Sequence, residues 1–143
     1  MTTEILPLRL PEGVTESFIA SHDLLYHIIS AGERSKPLIL CLHGFPELAF
    51  SWRKVLPAIA RQGYYVVAYD QRGYGRTTGW DTSDFASVDL NNFRFTLLAR
   101  DAVVFANVLG YKEVKCVLGH DFGSMVAAIC GMMRSDFFKS YVE

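Results

Sequence analysis

The chain has 143 residues, half of them hydrophobic, and a formal net charge of −1. That length suffices for one domain that buries roughly 70% of the surface its unfolded form exposes, and the apolar content argues against disorder. Lysines and arginines are scattered, so nothing marks a nucleic-acid or anionic-membrane partner. No run approaches the ~18 apolar residues of a membrane span. The amino-terminal "MTTEILPLRLPEG" lacks the basic start, apolar core and cleavage site of a signal peptide. Cys41, Cys116 and Cys130 are an odd set, two of them inside apolar strand-like runs, which suits reduced thiols in a cytoplasmic protein. No Cys/His spacing resembles a zinc site, and the expectation is neither metal nor cofactor.

In chain order, residues 14–20 and 24–30 read as two strands joined by the turn "SHD", a hairpin. After the loop "GERSKP", the run "LILCL" (38–42) is a strand buried on both faces. It stops at "HGFPE" (43–47), where Gly and Pro end regular structure. Residues 49–63 read as a helix with Trp52, Leu56, Ile59 and Ala60 on one face and Gly63 as its cap. "YYVVAYD" (64–70) is a second buried strand, followed by the turn-rich "QRGYGRTTGWDTSDF". Residues 96–109 form a helix whose core face carries Leu98, Ala102, Phe105 and Leu109, closed by Gly110. "EVKCVLG" (113–119) is a third buried strand, and residues 122–133 form the helix after it. Strands alternating with helices imply an α/β fold: a mostly parallel sheet with right-handed crossovers and a leading antiparallel hairpin.

In such sheets ligands bind at the carboxyl ends of the strands. Two unusual loops fall there, "HGFPE" and "GHDFG" (119–123). The second reads G-x-D-x-G between a strand and a helix. A sharp elbow of this kind strains its central residue and pushes the side chain of Asp121 into the pocket. Gly119 and Gly123 supply no Cβ to collide in so tight a turn. The following helix points its positive end at the carboxylate, which can attack an electrophilic carbon and form an ester. The alternative is that Asp121 merely caps that helix. "HGFPE" offers the backbone N–H of Phe45 to join that of Phe122 in an oxyanion hole; by itself it is a plain Gly-Pro loop. With an Asp nucleophile, that hole serves the tetrahedral intermediate formed when water attacks the ester.

His43 and His120 lie in backbone-fixed turns and are read as loop ties rather than bases; His22 and His27 belong to the hairpin. Asp70 and Arg72 are read as structural, paired with each other or with loop backbone. "GYGRTTG" (73–79) has the glycines of a dinucleotide loop, but the residues after it make a poor helix start, so it is read as a turn. A serine-type esterase is disfavoured because Ser124 lies past the second glycine.

Together "HGFPE", "YDQRGYG" and "GHDFG", in this order on these strand ends, resemble the α/β-hydrolase fold, and within it the epoxide hydrolases most. The resemblance covers essentially the whole chain. It implies that Asp121 is the nucleophile that opens a small apolar epoxide through an alkyl ester. It also implies that Phe45 and Phe122 give the oxyanion-hole amides, that His43, Gly44 and Pro46 shape the first loop, and that the bond before Pro46 is cis. Haloalkane dehalogenases typically hold the halide with an indole N–H after the nucleophile, often with an Asn in the first loop. Fluoroacetate dehalogenases place an Arg after the nucleophile. Phe122 and Phe45 offer no such donor. Epoxide hydrolases also commonly carry Trp at the position of Phe122.

The same resemblance places two acid tyrosines in a cap domain, and a His base with its acidic partner, after the elbow helix. None of these matches a residue here. The expectation is therefore a partial core domain over residues 1–143, the amino-terminal half of a hydrolase. Its strand 113–119 would lie bare at the sheet edge and favour self-association. A non-catalytic remnant or binding module is the alternative.

Overall fold

The structure, a computed structural model, describes residues 4–143; the first three residues of the stretch read above for a signal peptide lie outside the described residues. Strand β1 (Thr15–Ser21) turns at 22–23 into β2 (Leu24–Ala31), then come β3 (Leu38–Leu42), β4 (Tyr65–Tyr69), β5 (Cys116–Gly119) and β6 (Tyr141–Val142). They form one sheet in the order β1-β2-β4-β3-β5-β6. β2 runs antiparallel to β1 and β4, whereas β4, β3, β5 and β6 are mutually parallel. Helix α1 (Leu56–Ala60) links β3 to β4, α2 (Phe95–Val108) links β4 to β5, and α3 (Phe122–Met133) follows β5.

The unbroken apolar runs have a direct cause. Alternate residues of a strand face opposite sides of a sheet, and here both sides are covered. Leu38, Leu40, Leu42, Tyr65, Val67 and Tyr69 pack beneath α2 and α3 with Phe105, Ala102 and Val126. Ile39, Cys41, Val66 and Ala68 pack on the other side with Ala49, Leu56 and Trp52. Cys41 and Cys130 are buried, Cys116 is half-buried, and all three are free thiols. No helix among the described residues is long and apolar enough to cross a membrane.

Three expectations are corrected. The helix expected over 49–63 is a 3-10 turn (Ala49–Trp52) followed only by the short α1. Pro57 is tolerated in the first turn of a helix but lacks the N–H that would continue one from upstream. The third strand begins at Cys116 rather than at 113, although Val114 makes an isolated bridge to Phe138. Finally, β5 is not a bare edge. After α3 the chain turns back, Val117 pairs with Tyr141 and Leu118 with Val142, and β6 becomes the edge. A Cβ at Gly131 would stand 2.2 Å from the Tyr141 ring, so α3 holds β6 through this bare glycine face.

Candidate active site

The carboxyl ends of β3 and β5 lie side by side, with Leu42 opposite Gly119. The two loops singled out in the sequence therefore meet. At the elbow, Asp121 has φ 56° and ψ −127°, one of two non-glycine residues with positive φ among those described. An L-residue holds such a conformation only where its surroundings enforce it. The enforcement is close packing without side chains. A Cβ on Gly119 would lie 2.2 Å from the Gly123 carbonyl oxygen, and one on Gly123 would lie 2.4 Å from that of Leu42. From the facing loop, a Cβ on Gly44 would lie 2.3 Å from the Cβ of Asp121. Glycine is the residue that fits at each of these points.

The Asp121 side chain makes no capping bond to α3, the helix it precedes. It reaches across to the first loop instead, where Oδ2 accepts a hydrogen bond from the Phe45 N–H at 3.0 Å. The carboxylate is exposed. Its pKa is held below the ordinary aspartate value by the Phe45 amide first and the Phe122 amide next. The peptide bond between Phe45 and Pro46 is cis. Of the two amides named from the sequence, that of Phe45 meets Oδ2, and that of Phe122 also lowers the carboxylate's pKa.

Three of the four histidines are engaged elsewhere. His43 is fully buried; its Nε2 accepts from the Gln71 N–H at 3.0 Å, leaving the Nδ1 proton to meet the Gly44 carbonyl at 3.0 Å. Burial pushes its pKa down, so it sits neutral between the two loops. His120 Nδ1 lies 3.1 Å from Glu47 Oε2 on the surface. His27 bridges Asp70 and Glu16 with its two ring nitrogens.

Asp70 and Arg72 do not pair with each other, as the sequence reading had allowed. Asp70 turns inward beneath the site: Oδ1 accepts from the Ala49 N–H at 2.9 Å, and Oδ2 from the Arg76 N–H at 3.0 Å. It thereby ties the end of the first loop to the segment after β4. Arg72 makes a two-pronged bond to Asp101 of α2, at 2.9 and 3.0 Å, the planar geometry that suits a guanidinium and a carboxylate. The glycine-rich stretch 73–79 runs as turns and opens no helix; the next helical turn is the 3-10 segment Leu90–Phe93. Among the described residues no group of three or more His, Cys, Asp or Glu side chains is placed to hold a metal ion.

Beside Asp121 lies a feature that sequence reasoning missed. Phe122 stacks against two other rings, Tyr74 at 5.5 Å and 27° and Phe95 at 6.1 Å and 8°. Tyr74 also meets His43 edge-on at 5.0 Å. These rings come from two loops and two helix starts, so no local periodicity could have announced them.

The alpha/beta hydrolase fold family matches residues 37–142. Epoxide hydrolase 4 of Homo sapiens is 44% identical over 116 residues, 78% of this chain and 29% of that protein. Epoxide hydrolase A of Mycobacterium tuberculosis is 34% identical over 122 residues, 85% of this chain and 35% of that protein. Among solved structures, an epoxide hydrolase from Vigna radiata superposes with a TM-score of 0.78 at 32% identity, covering 91% of this chain and 39% of its own. Epoxide Hydrolase A from Mycobacterium thermoresistibile gives 0.79 at 30%, covering 90% and 38%. The chain spans about a third of the length of the curated relatives it matches.

Proposed function

Because this chain belongs to the α/β-hydrolase fold family, we propose that it carries the nucleophile and oxyanion hole of an epoxide-opening site. The observation that supports this best is the bond from the Phe45 amide to Asp121 Oδ2. That bond occupies one carboxylate oxygen and leaves Oδ1 for attack. Oδ1 forms a bond to a ring carbon, and that carbon's bond to the ring oxygen breaks. The ring oxygen keeps the electron pair and takes a proton, giving a 2-hydroxyalkyl ester. Oδ2 is now the ester carbonyl oxygen and already lies against its donor. When water adds at that carbonyl, negative charge develops on Oδ2, where a preorganised amide is worth most. Collapse breaks the acyl C–O bond, releases a diol and restores Asp121.

Halide release is less well supported, since the Phe45 and Phe122 side chains carry no N–H to hold a departing anion. A binding module without turnover has no specific observation in its favour. The test uses the natural protein and a small terminal epoxide. A quenched digest is expected to carry the epoxide's mass on the peptide containing Asp121, and repeated turnover in 18O water to label the same carboxylate. Asp121→Asn should abolish both. A protein that neither alkylates nor exchanges oxygen at Asp121 while turning over an epoxide overturns the proposal.

A further inference from the structure

Phe122 faces two ways. Its amide helps hold the Asp121 carboxylate, and its ring forms one wall of an open cleft of about 400 Å³. The other walls are Tyr74, Trp80, Phe93, Phe95 and Leu98. An apolar cavity of roughly 150 Å³ takes a benzene ring, so this cleft has room for a substituted one. Its shape is fixed from outside. The Trp80 indole N–H donates to the Thr77 carbonyl at 2.8 Å, and its ring meets Phe93 edge-on at 6.2 Å. Phe93 lies against a bare glycine, since a Cβ on Gly73 would stand 2.9 Å from it. Arg72 also borders the cleft, but its guanidinium is engaged by Asp101 and stands 3.6 Å from Asp23. The cleft therefore presents ring faces and edges, with its one cation already neutralised.

We propose that Tyr74, Phe122 and Phe95 form a shelf that binds an arene carried by the substrate, so that the site selects aryl-substituted epoxides over alkyl ones of equal bulk. This rests on the epoxide-opening reading above and adds the class of substituent. The physical reason is the stacked pair of faces. Phe122 lies nearly parallel to Phe95 and at 27° to Tyr74, so a flat ring entering the cleft meets π faces and edges at the offsets that aromatic pairs prefer. A saturated ring of the same size gains the burial but not those contacts. The cleft adjoins Asp121 through its Phe122 wall, since Phe122 follows Asp121 directly in the chain. An arene on the shelf therefore brings an attached oxirane to the carboxylate.

The test separates binding from chemistry. The probes are two non-reactive product-like diols, 1-phenyl- and 1-cyclohexyl-ethane-1,2-diol. Their affinities for the natural protein and for Asp121→Asn are read from NMR shifts of the Trp80 indole and neighbouring amides. The phenyl diol is expected to bind about two- to tenfold more tightly, with the same preference in Asp121→Asn. Phe95→Leu and Tyr74→Leu should bring the ratio near one, whereas Tyr74→Phe should retain it. Equal binding of the two diols, shifts confined to residues away from Trp80, or a preference that survives Phe95→Leu overturns the shelf. Because this readout needs no alkylation, failure of Asp121 to react sinks the epoxide-opening reading without being mistaken for failure of the shelf. Phe95 is 38% exposed, so its replacement leaves the core intact; circular dichroism checks this.

Discussion

His27 Nδ1 lies 2.8 Å from Asp70 Oδ2, while its Nε2 lies 2.7 Å from Glu16 Oε1. An ionised carboxylate only accepts hydrogen bonds, so both ring nitrogens must donate and the ring is an imidazolium. Burial pushes its pKa down, but Asp70, then Glu16, outweigh burial and leave it raised above the ordinary 6.5. A group with a raised folded pKa contributes stability that is fully present below its unfolded pKa. That stability is lost as pH rises through the folded value. The denaturant midpoint should therefore fall as pH rises above the ordinary 6.5 and through the raised value, and His27→Gln should flatten that limb. An NMR titration of the His27 ring checks the cause; a midpoint at or below 6.5 would refute it.

Asp70 is the second half of this pair. Burial raises its pKa, yet His27 first, then the amides of Arg76 and Ala49, lower it below the usual aspartate value. Its contribution is therefore present above the unfolded pKa and lost as pH falls through the lowered one. Asp70→Asn leaves a buried imidazolium short of a counter-charge and turns an amide N–H toward existing donors. A loss of about 3–5 kcal/mol is expected from breaking one side of a buried ion pair. Urea unfolding measures it, and a loss under about 1 kcal/mol would show that the network is solvated.

How much of this could be read beforehand depended on the range of the forces involved. β3 and β4 were legible because burial on both faces leaves a continuous apolar run, and α2 because Leu98, Ala102, Phe105 and Leu109 recur at helical spacing. The elbow was legible because close packing demands glycine at 119 and 123. The strand β6 has two residues, too few for any period, and forms only because α3 returns the chain to β5. The His27–Asp70 pair joins residues 43 apart in sequence, across β2 and β4. Nothing local distinguished Asp101 as the partner of Arg72. The shelf rings were invisible for the same reason, since Tyr74, Phe95 and Phe122 meet only after the sheet has ordered their loops.

Gly44 is the narrowest point between the two site loops. Gly44→Ala would place a methyl 2.3 Å from the Cβ of Asp121 and 2.7 Å from the His120 carbonyl oxygen. Both neighbours belong to a strained elbow, so the loops must separate. A stability loss of about 1–3 kcal/mol is expected from the overpacking. Moving the Phe45 donor away should also slow ester hydrolysis by about 10²–10³-fold. Rapid-quench kinetics would show the ester accumulating. Hydrolysis at the natural rate in a folded Gly44→Ala protein would mean that the Phe45 amide does not serve the intermediate.

The same amide sets the charge state of Asp121. With Phe45 and Phe122 lowering its pKa, Asp121 should titrate below the ordinary 3.8 even though its carboxylate is exposed. A depressed value means that the carboxylate stays ionised as pH falls through the range in which free aspartates protonate. His120 adds to this only in its charged form and ranks last among the causes. The 13C shift of the Asp121 carboxyl, followed from neutral pH into acid, is expected to turn over below 3.8. In Gly44→Ala the turnover should move upward, because the largest cause of the depression has been pulled away, whereas His120→Gln should move it little. A titration at or above 3.8 in the natural protein would mean that the Phe45 bond to Oδ2 is not maintained in solution. The resting carboxylate would then lack the preorganisation on which the proposed two-step mechanism depends.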